Sequence, residues 1–236
     1  MRGDSSDDID GPAREPPVEE HESARAVARI ARALPPVERA YAFARFVIMR
    51  QKLLALMNLV LPGEGRILDV GCGFGLFSAY FALVCPDRRM VGVDPSARRI
   101  AMARTVAERL GIRNNEYRVG TVETSALKGP FDAIFMLDVL HHVPRESQLP
   151  LLTQLSGMLA PRGVMLIKEV TTDQPFKLRF TELLDRMMVG FDEPLAYRHH
   201  HDWSRLLHGL GLRTRIVRVP DVLPYPHVVI VGRPTG

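Results

Sequence analysis

The residues of this 236-residue chain best suited to chemistry gather in a few short runs. Asp69-Val-Gly-Cys-Gly-Phe-Gly75 sets three glycines at alternate positions, two residues behind an acid and just ahead of the apolar run Leu76-Phe77-Ser78-Ala79-Tyr80. A backbone free of side chains can turn tightly there and lie against a ligand. The helix that follows then offers unpaired N–H groups to that ligand. Two cofactor classes compete for the turn. A dinucleotide fingerprint, G-x-G-x-x-G, needs its third glycine where this chain has Leu76. Asp69 would also repel a pyrophosphate, whereas it can accept from a cationic ammonium group. The turn therefore favours a nucleoside that carries an amino acid. Asp94 closes a second apolar run, Val91-Gly-Val-Asp94, where a carboxylate can accept from both ribose hydroxyls. His141-His142 offer imidazoles that titrate near neutrality and can take a proton, or else cap and pack the loop before Pro144. Glu169 can orient a hydroxyl or pair with Lys168. Three consecutive histidines, His199-His200-His201, do not point to one centre without an unusual loop, and no carboxylate or cysteine pair is spaced to complete a metal site. No metal is expected.

Strands and helices must alternate to bring these runs together. Arg66–Val70, Met90–Val93, Glu116–Val119, Phe131–Leu137 and Val164–Glu169 read as strands. Helices fall over Phe74 to Val84, Pro95 to Leu110 and Arg145 to Leu159, with Gly111 at a C-cap and Ala160-Pro161-Arg162-Gly163 at a turn. That alternation predicts a parallel sheet with helices on both faces, joined by right-handed crossovers. Leu212–Val219 and His227–Val231 close the chain as a hairpin, expected as an antiparallel edge. In such a sheet ligands sit at the carboxyl ends of the strands, near the point where strand order reverses. The rule selects Asp69 to Gly75, Asp94, Thr121–Glu123, Asp138–His142 and Glu169, the positions that also carry the motifs.

Other segments frame this core. Residues 1–22 are acidic, rich in Pro and Gly, and expected to be disordered. Residues 23–62 form a helical extension, its second helix with Phe43, Phe46, Val47, Leu53, Leu54, Met57 and Val60 largely on one stripe. It either packs on the sheet or covers a substrate pocket. An insertion over 171–201 is expected to hold a helix from Phe176 to Val189 above the pocket. Asp202 is expected to cap Trp203–His208, with Trp203 in the core.

Charge and cysteine content narrow the setting. Met1–Glu22 carries eight acids against Arg2 and Arg14, a net of −6, so with +4 for the whole chain the remainder holds +10. A basic body suits an anionic substrate, an acidic carrier protein, a lipid surface or nucleic acid, and equally a solvated arginine-rich surface. Cys72 and Cys85 make no disulfide framework, and no basic-then-apolar leader opens the sequence, so the expected setting is cytoplasmic. The long apolar stretch Ala40 to Leu61 contains Arg45, Arg50 and Lys52 and does not read as a membrane span.

Asp69–Gly75, Val91–Asp94, Phe131-Asp-Ala-Ile-Phe-Met-Leu-Asp138-Val-Leu-His-His142 and Leu159-Ala-Pro-Arg-Gly-Val164 resemble the successive motifs of class I S-adenosylmethionine-dependent methyltransferases, in order and spacing. The resemblance covers about Gly65 to Gly232. It implies a Rossmann-like, doubly wound α/β domain over 63–236, with a seven-stranded, mostly parallel sheet whose last strand is antiparallel. By position it implies that Asp69, Gly71, Cys72 and Gly73 line the methionine part of S-adenosylmethionine, with Gly75 completing the cofactor-binding turn. Asp94 would hold the ribose and Pro95 lie beside the adenine. Thr121 and Val122 would face the adenine edge, and Leu137 and Asp138 the methyl-sulfonium side. The family often has an acid where Thr121 stands, so the adenine amine falls to the Thr121 hydroxyl, Glu123 or a backbone carbonyl.

Methyl transfer depends mainly on positioning, and a base is needed only if the acceptor must lose a proton. His142, His141 and Glu169 are the catalytic candidates. Nucleobase-amine methyltransferases usually carry Asn/Asp-Pro-Pro-aromatic where this chain has Asp138-Val-Leu-His141. The resemblance is therefore to the small-molecule branch, which includes quinone, lipid and natural-product enzymes, and not to nucleic-acid enzymes. Phe43, Phe46, Met49, Phe176, Phe180, Leu184, Met187 and Met188 are candidate walls for an aromatic or polyketide-like acceptor, free or tethered to an acidic acyl carrier protein. Transfer to oxygen or to carbon stays open, as does a homodimeric state. The competing readings are a non-catalytic adenosylmethionine-binding scaffold and a nicotinamide oxidoreductase.

Overall fold

The computed structural model describes residues 20–173, 179, 182, 195–218 and 227–235. Seven strands form one sheet: β1 (Gly65–Val70), β2 (Arg88–Asp94), β3 (Asn115–Val119), β4 (Phe131–Leu137), β5 (Leu159–Val170), β6 (Leu212–Arg218) and β7 (His227–Pro234). Their order is β3-β2-β1-β4-β5-β7-β6. Pairs among β1 to β5 are parallel, and β7 runs antiparallel to both β5 and β6. Strand order reverses between β1 and β4, which places the ends of those strands at a switch point.

Consecutive strand residues serve opposite faces, and both faces are covered. Ile67, Phe135, Leu166 and Val229 join one core, and Leu68, Ile134, Ile167 and Ile230 the other. The first core is covered by α1 (Glu20–Ala33), α2 (Pro36–Val60) and α3 (Leu76–Val84), the second by α5 (Arg145–Gly157) and α6 (His200–Gly209). Helix α4 (Ala97–Leu110) packs Ile100, Ala103 and Ala107 against Cys72 and Tyr117. Ser96 caps α4 by accepting from the Arg99 N–H, and Gly111 ends it in the left-handed conformation, as expected.

Several boundaries differ from the sequence reading. Glu20 to Glu22 are already helical, inside the segment expected to be disordered, and the two acids complement the positive end of the helix dipole. Ser23 ties that first turn to Tyr80 by a 2.8 Å hydroxyl contact. Residues 1–19 and most of the expected helix over 176–189 lie outside the described residues. The turn expected at Ala160–Gly163 is part of β5: Phe131 pairs with Leu159 and Ala133 with Val164, so a register irregularity absorbs the extra residues. The closing hairpin forms an antiparallel edge of the sheet, as expected. β7 lies between β5 and β6 because Val228, Val229 and Ile230 are apolar throughout and fully buried, whereas β6 turns Arg213, Arg215 and Arg218 to solvent. Trp203 is 1% exposed, in the core as expected.

Helix α2 packs on the sheet, but its stripe is narrower than expected. Phe46, Leu53, Leu54 and Met57 are buried, whereas Phe43 is 68% and Val47 44% exposed. Arg88, 1% exposed, pins the far end of this helix. Its guanidinium donates to the carbonyls of Pro62 (2.8 Å), Asn58 (3.3 Å) and Leu61 (3.4 Å), and to Asn58 Oδ1 (2.5 Å). Those groups cap the exit from α2, whose last carbonyls have no helical partner. Arg88→Ala should lower unfolding free energy by about 1.5–3 kcal/mol or more in urea denaturation, with an unchanged m-value. A loss below about 0.5 kcal/mol would show that α2 is held by apolar packing alone.

Candidate functional site

A cleft of about 1070 Å³ opens over the carboxyl ends of β1, β2 and β4, with α2 forming part of its wall. The glycine turn makes its floor. The N–H groups of Gly71 and Cys72 both donate to the Val93 carbonyl, at 2.8 and 3.1 Å, which fastens the turn to β2. At Gly71 a Cβ would meet Val139 Cγ2 at 2.6 Å, so β1 and the exit of β4 approach too closely for a side chain. Gly73 has φ +54° and nothing within 4 Å of where a Cβ would stand, so its bare backbone faces open space. Gly75 is different. It does not line the cleft; it caps α3 at φ +69°, and a Cβ there would meet Tyr117 Oη at 2.6 Å. The third glycine therefore serves helix packing.

Two buried acids stand on this floor with different hydrogen-bond partners. Asp94 accepts from the Gly73 N–H at 3.0 Å and the Ser96 N–H at 2.9 Å, one at each oxygen, and still borders the cleft. Asp69 receives the Ser78 hydroxyl at 2.6 Å. Burial pushes its carboxyl up to about 7, against the pull of the Ser78 bond, and the charge on Asp94 adds to the rise. Burial, Asp69 and Asp94 together push the Cys72 thiol well above its usual range, so it stays protonated.

Leu137 and Asp138 border the cleft at the end of β4, and Asp138 adopts φ +56°. Its oxygens are held by Lys168 Nζ at 2.5 Å and Arg45 Nη1 at 3.1 Å. Burial alone would raise this carboxyl; the Lys168 and Arg45 charges outweigh it and hold the group well below the usual carboxylate range. Burial pulls the Lys168 ammonium down from its ordinary value, and Asp138 opposes that. Pro95, Thr121, Val122 and Glu123 complete the cleft on the β2–β3 side. Thr121 is exposed, its N–H donates to Thr124 Oγ1 at 2.9 Å, and the two hydroxyls lie 3.2 Å apart.

The three catalytic candidates share one short 3₁₀ turn, Leu140–His142, and the strand behind it. Glu169 accepts the Leu140 N–H at 2.8 Å with one oxygen and the His141 Nδ1–H at 2.6 Å with the other. The His141 ring stacks on Tyr197, with centroids 4.9 Å apart, and lies against His142 at 4.2 Å. His141 and Glu169 are each 1% exposed, and Glu169 holds the turn from behind; of the three, His142 alone lines the cleft.

The acceptor wall expected from α2 is displaced. Phe46 and Met49 are buried in the core and Phe43 faces solvent, while Val37, Glu38, Tyr41 and Arg45 line the cleft. The other expected wall residues, Phe176, Phe180, Leu184, Met187 and Met188, lie outside the described residues. The sequence reading also missed Ser78, Lys168 and Arg45 as members of the site. Arg45 and Lys168 each interrupt an apolar run, and that was the available signal. His199, His200 and His201 do converge, with ring centroids 4.1 to 5.1 Å apart, and Asp173 lies against His199 and His200. Among the described residues no helix is long and apolar enough to cross a membrane.

The family described as a methyltransferase domain matches residues 39–216 of the chain. A ubiquinone biosynthesis O-methyltransferase of Azorhizobium caulinodans is 40% identical over 147 residues, which are 60% of this chain and 53% of that protein. Another of the same name from Methylocella silvestris is 32% identical over 184 residues, 73% of this chain and 64% of that protein. The chain thus spans about half to two thirds of the length of these relatives. In fold it is similar to the crystal structure of Burkholderia thailandensis 1,6-didemethyltoxoflavin-N1-methyltransferase, with a TM-score of 0.63 and 20% identity over 97% of this chain and 94% of that one.

The Asp138 cluster gives a stability test. Asp138→Asn leaves Lys168 charged and buried without its carboxylate, and should cost about 3–5 kcal/mol in chemical denaturation. Asp138→Asn/Lys168→Met should recover part of that loss. Because the folded carboxyl lies below its unfolded value, its contribution is present above about pH 4 and is lost as pH falls through the folded value. The acid-side slope of stability should therefore be shallower in Asp138→Asn than in the parent protein. Equal slopes would remove Asp138 as a source of acid sensitivity.

Proposed function

The chain belongs to the class I S-adenosylmethionine-dependent methyltransferases, and from that membership we propose that it methylates a hydroxyl oxygen of a small aromatic acceptor in quinone biosynthesis. The relatives' names support the acceptor class and the oxygen target. The observation that carries the cofactor reading is the cleft floor: a near-neutral buried carboxyl at Asp69, a bare backbone at Gly73 and an ordered carboxylate at Asp94. A nucleoside with a cationic amino-acid tail fits all three. A nicotinamide dinucleotide fits the first poorly, because its pyrophosphate brings no cation to stabilise the ionised form of Asp69. When bound, S-adenosylmethionine supplies a methyl group activated by its sulfonium centre.

In this reading Asp69 accepts from the ammonium group and Asp94 from the ribose hydroxyls. Pro95 and Val122 flank the adenine, and Thr121, Glu123 or a backbone carbonyl meets its amine. Leu137 and Asp138 border the methyl side, where the neutralised Asp138 cluster keeps the wall rigid. His142 takes the acceptor's hydroxyl proton, with its turn held from behind by His141 and Glu169. Tyr41 and Arg45 offer an aromatic edge and a cation toward a flat, anionic acceptor. The open cleft beside His142 favours an enzyme over a cofactor-binding scaffold, whose pocket would be filled.

Calorimetric titration should detect adenosylmethionine binding that Asp94→Ala abolishes, and no NADH binding. NADH binding in its place would sink the proposal. Ammonium contact should lower the Asp69 pKa, so binding near pH 7 should release a proton, and affinity should rise between about pH 6 and 7.5. Heats measured in buffers of different ionisation enthalpy report that proton, which Asp69→Asn should eliminate. His142→Gln should slow turnover of a catechol acceptor by about 10²–10⁴ while leaving adenosylmethionine affinity unchanged. Full activity in that variant would exclude His142 as the base.

A further inference from the structure

A second cluster stands apart from the cleft, where the chain leaves β5 and where it enters α6. None of its residues lines the cleft. His199 is extended, with φ −64° and ψ 143°, and the helix begins at the next residue. That change of direction folds three consecutive imidazoles together, and one nitrogen of each lies within 4.8 Å of the others. Asp173 joins them from the β5 side, with Oδ1 against His199 Nε2 and Oδ2 at 3.5 Å from His200 Nδ1.

Two further contacts resemble the surroundings of a metal ligand. Thr171 Oγ1 lies 2.8 Å from His200 Nδ1, the outer hydrogen bond that leaves Nε2 with its lone pair. That lone pair and Asp173 Oδ2 are each 3.1 Å from Arg218 Nη2, so a cation already bridges an imidazole and a carboxylate here. The Arg218 side chain is 67% exposed and can swing aside.

We propose that His199, His200, His201 and Asp173 form a binding site for a divalent transition-metal ion of the zinc class, for which Arg218 is the resident competitor. Three imidazole nitrogens and one carboxylate oxygen suit tetrahedral Zn²⁺ or Co²⁺ better than Mg²⁺ or Ca²⁺. At about 2.1 Å from a metal, ligand atoms sit about 3.4 Å apart, so the ring nitrogens close by up to about 1.4 Å and the Asp173–His199 contact opens, both within reach of side-chain rotation. The N-terminus of α6 opposes a cation, and the Asp173 charge offsets it. His201 is exposed and gives the ion its entry. The bound ion joins the two ends of the insertion, independently of any reading of the cleft.

The test uses chelator-treated full-length protein without a polyhistidine tag. Zn²⁺ is titrated by calorimetry, and Co²⁺ by its visible absorption, which reports tetrahedral coordination. One ion per chain is expected. Asp173→Asn and His199→Ala/His201→Ala should each weaken binding by about tenfold or more, and Arg218→Ala should tighten it. His21→Ala/His208→Ala, which changes histidines outside the cluster, should leave it unchanged. No binding by the parent protein would overturn the site. Binding undiminished in the cluster variants, or unaltered or weakened in Arg218→Ala, would do the same.

Discussion

The buried triad of Arg45, Asp138 and Lys168 joins three parts of the chain that share no local contact. Arg45 comes from the second helix of the N-terminal extension, Asp138 from the end of β4 and Lys168 from β5. Removing three charges from water is costly unless each meets its complement, and here the complements meet only when helix and both strands are in register. The triad thus makes the extension part of the cleft wall. It also fixes Asp138 in a backbone conformation unusual for a residue other than glycine, so that the chain turns from β4 into the short histidine turn.

Asp69 and Asp138 are both buried carboxylates at the switch point, and their neighbours drive them in opposite directions. Two cations hold Asp138 ionised, whereas Asp69 has a hydroxyl and a second acid beside it and is pushed toward neutrality. Environments that separate similar groups in this way commonly divide structural from ligand-binding work. Asp138 is saturated by two cations of its own protein, whereas Asp69 has the Ser78 hydroxyl and, among the described residues, no cation as a partner. The same division holds for the histidines that follow. His141 is clamped by Glu169 and stacked, which leaves His142 as the ring that faces the cleft.

Much of this was legible in the sequence. Alternating apolar runs and helix patterns determined a doubly wound sheet, because each strand of a parallel sheet must be apolar on both faces. Strand-end residues then had to lie at the carboxyl edge, so Asp69, Gly71, Gly73, Asp94 and Asp138 could be assigned to one site before any coordinates. Glycine spacing with a preceding acid separated a nucleoside ligand from a dinucleotide. These inferences depend on chain direction and period, which are local properties.

Tertiary structure decided what local pattern does not encode. Whether Gly75 met a ligand or a tyrosine depended on where Tyr117 of β3 came to rest. Whether Glu169 faced an acceptor or the histidine turn depended on how closely β4 and β5 approach at their ends. Within the closing hairpin, β7 and not β6 came to pair with β5, because Val228–Ile230 are apolar and buried while β6 carries arginines to solvent. A change from extended backbone at His199 to helix at the next residue turned three consecutive imidazoles toward one another. The sequence by itself determined which residues could do chemistry and at which edge of the sheet. Only packing across distant segments decided which of them face open space, because side-chain direction and charge state depend on neighbours from other parts of the chain.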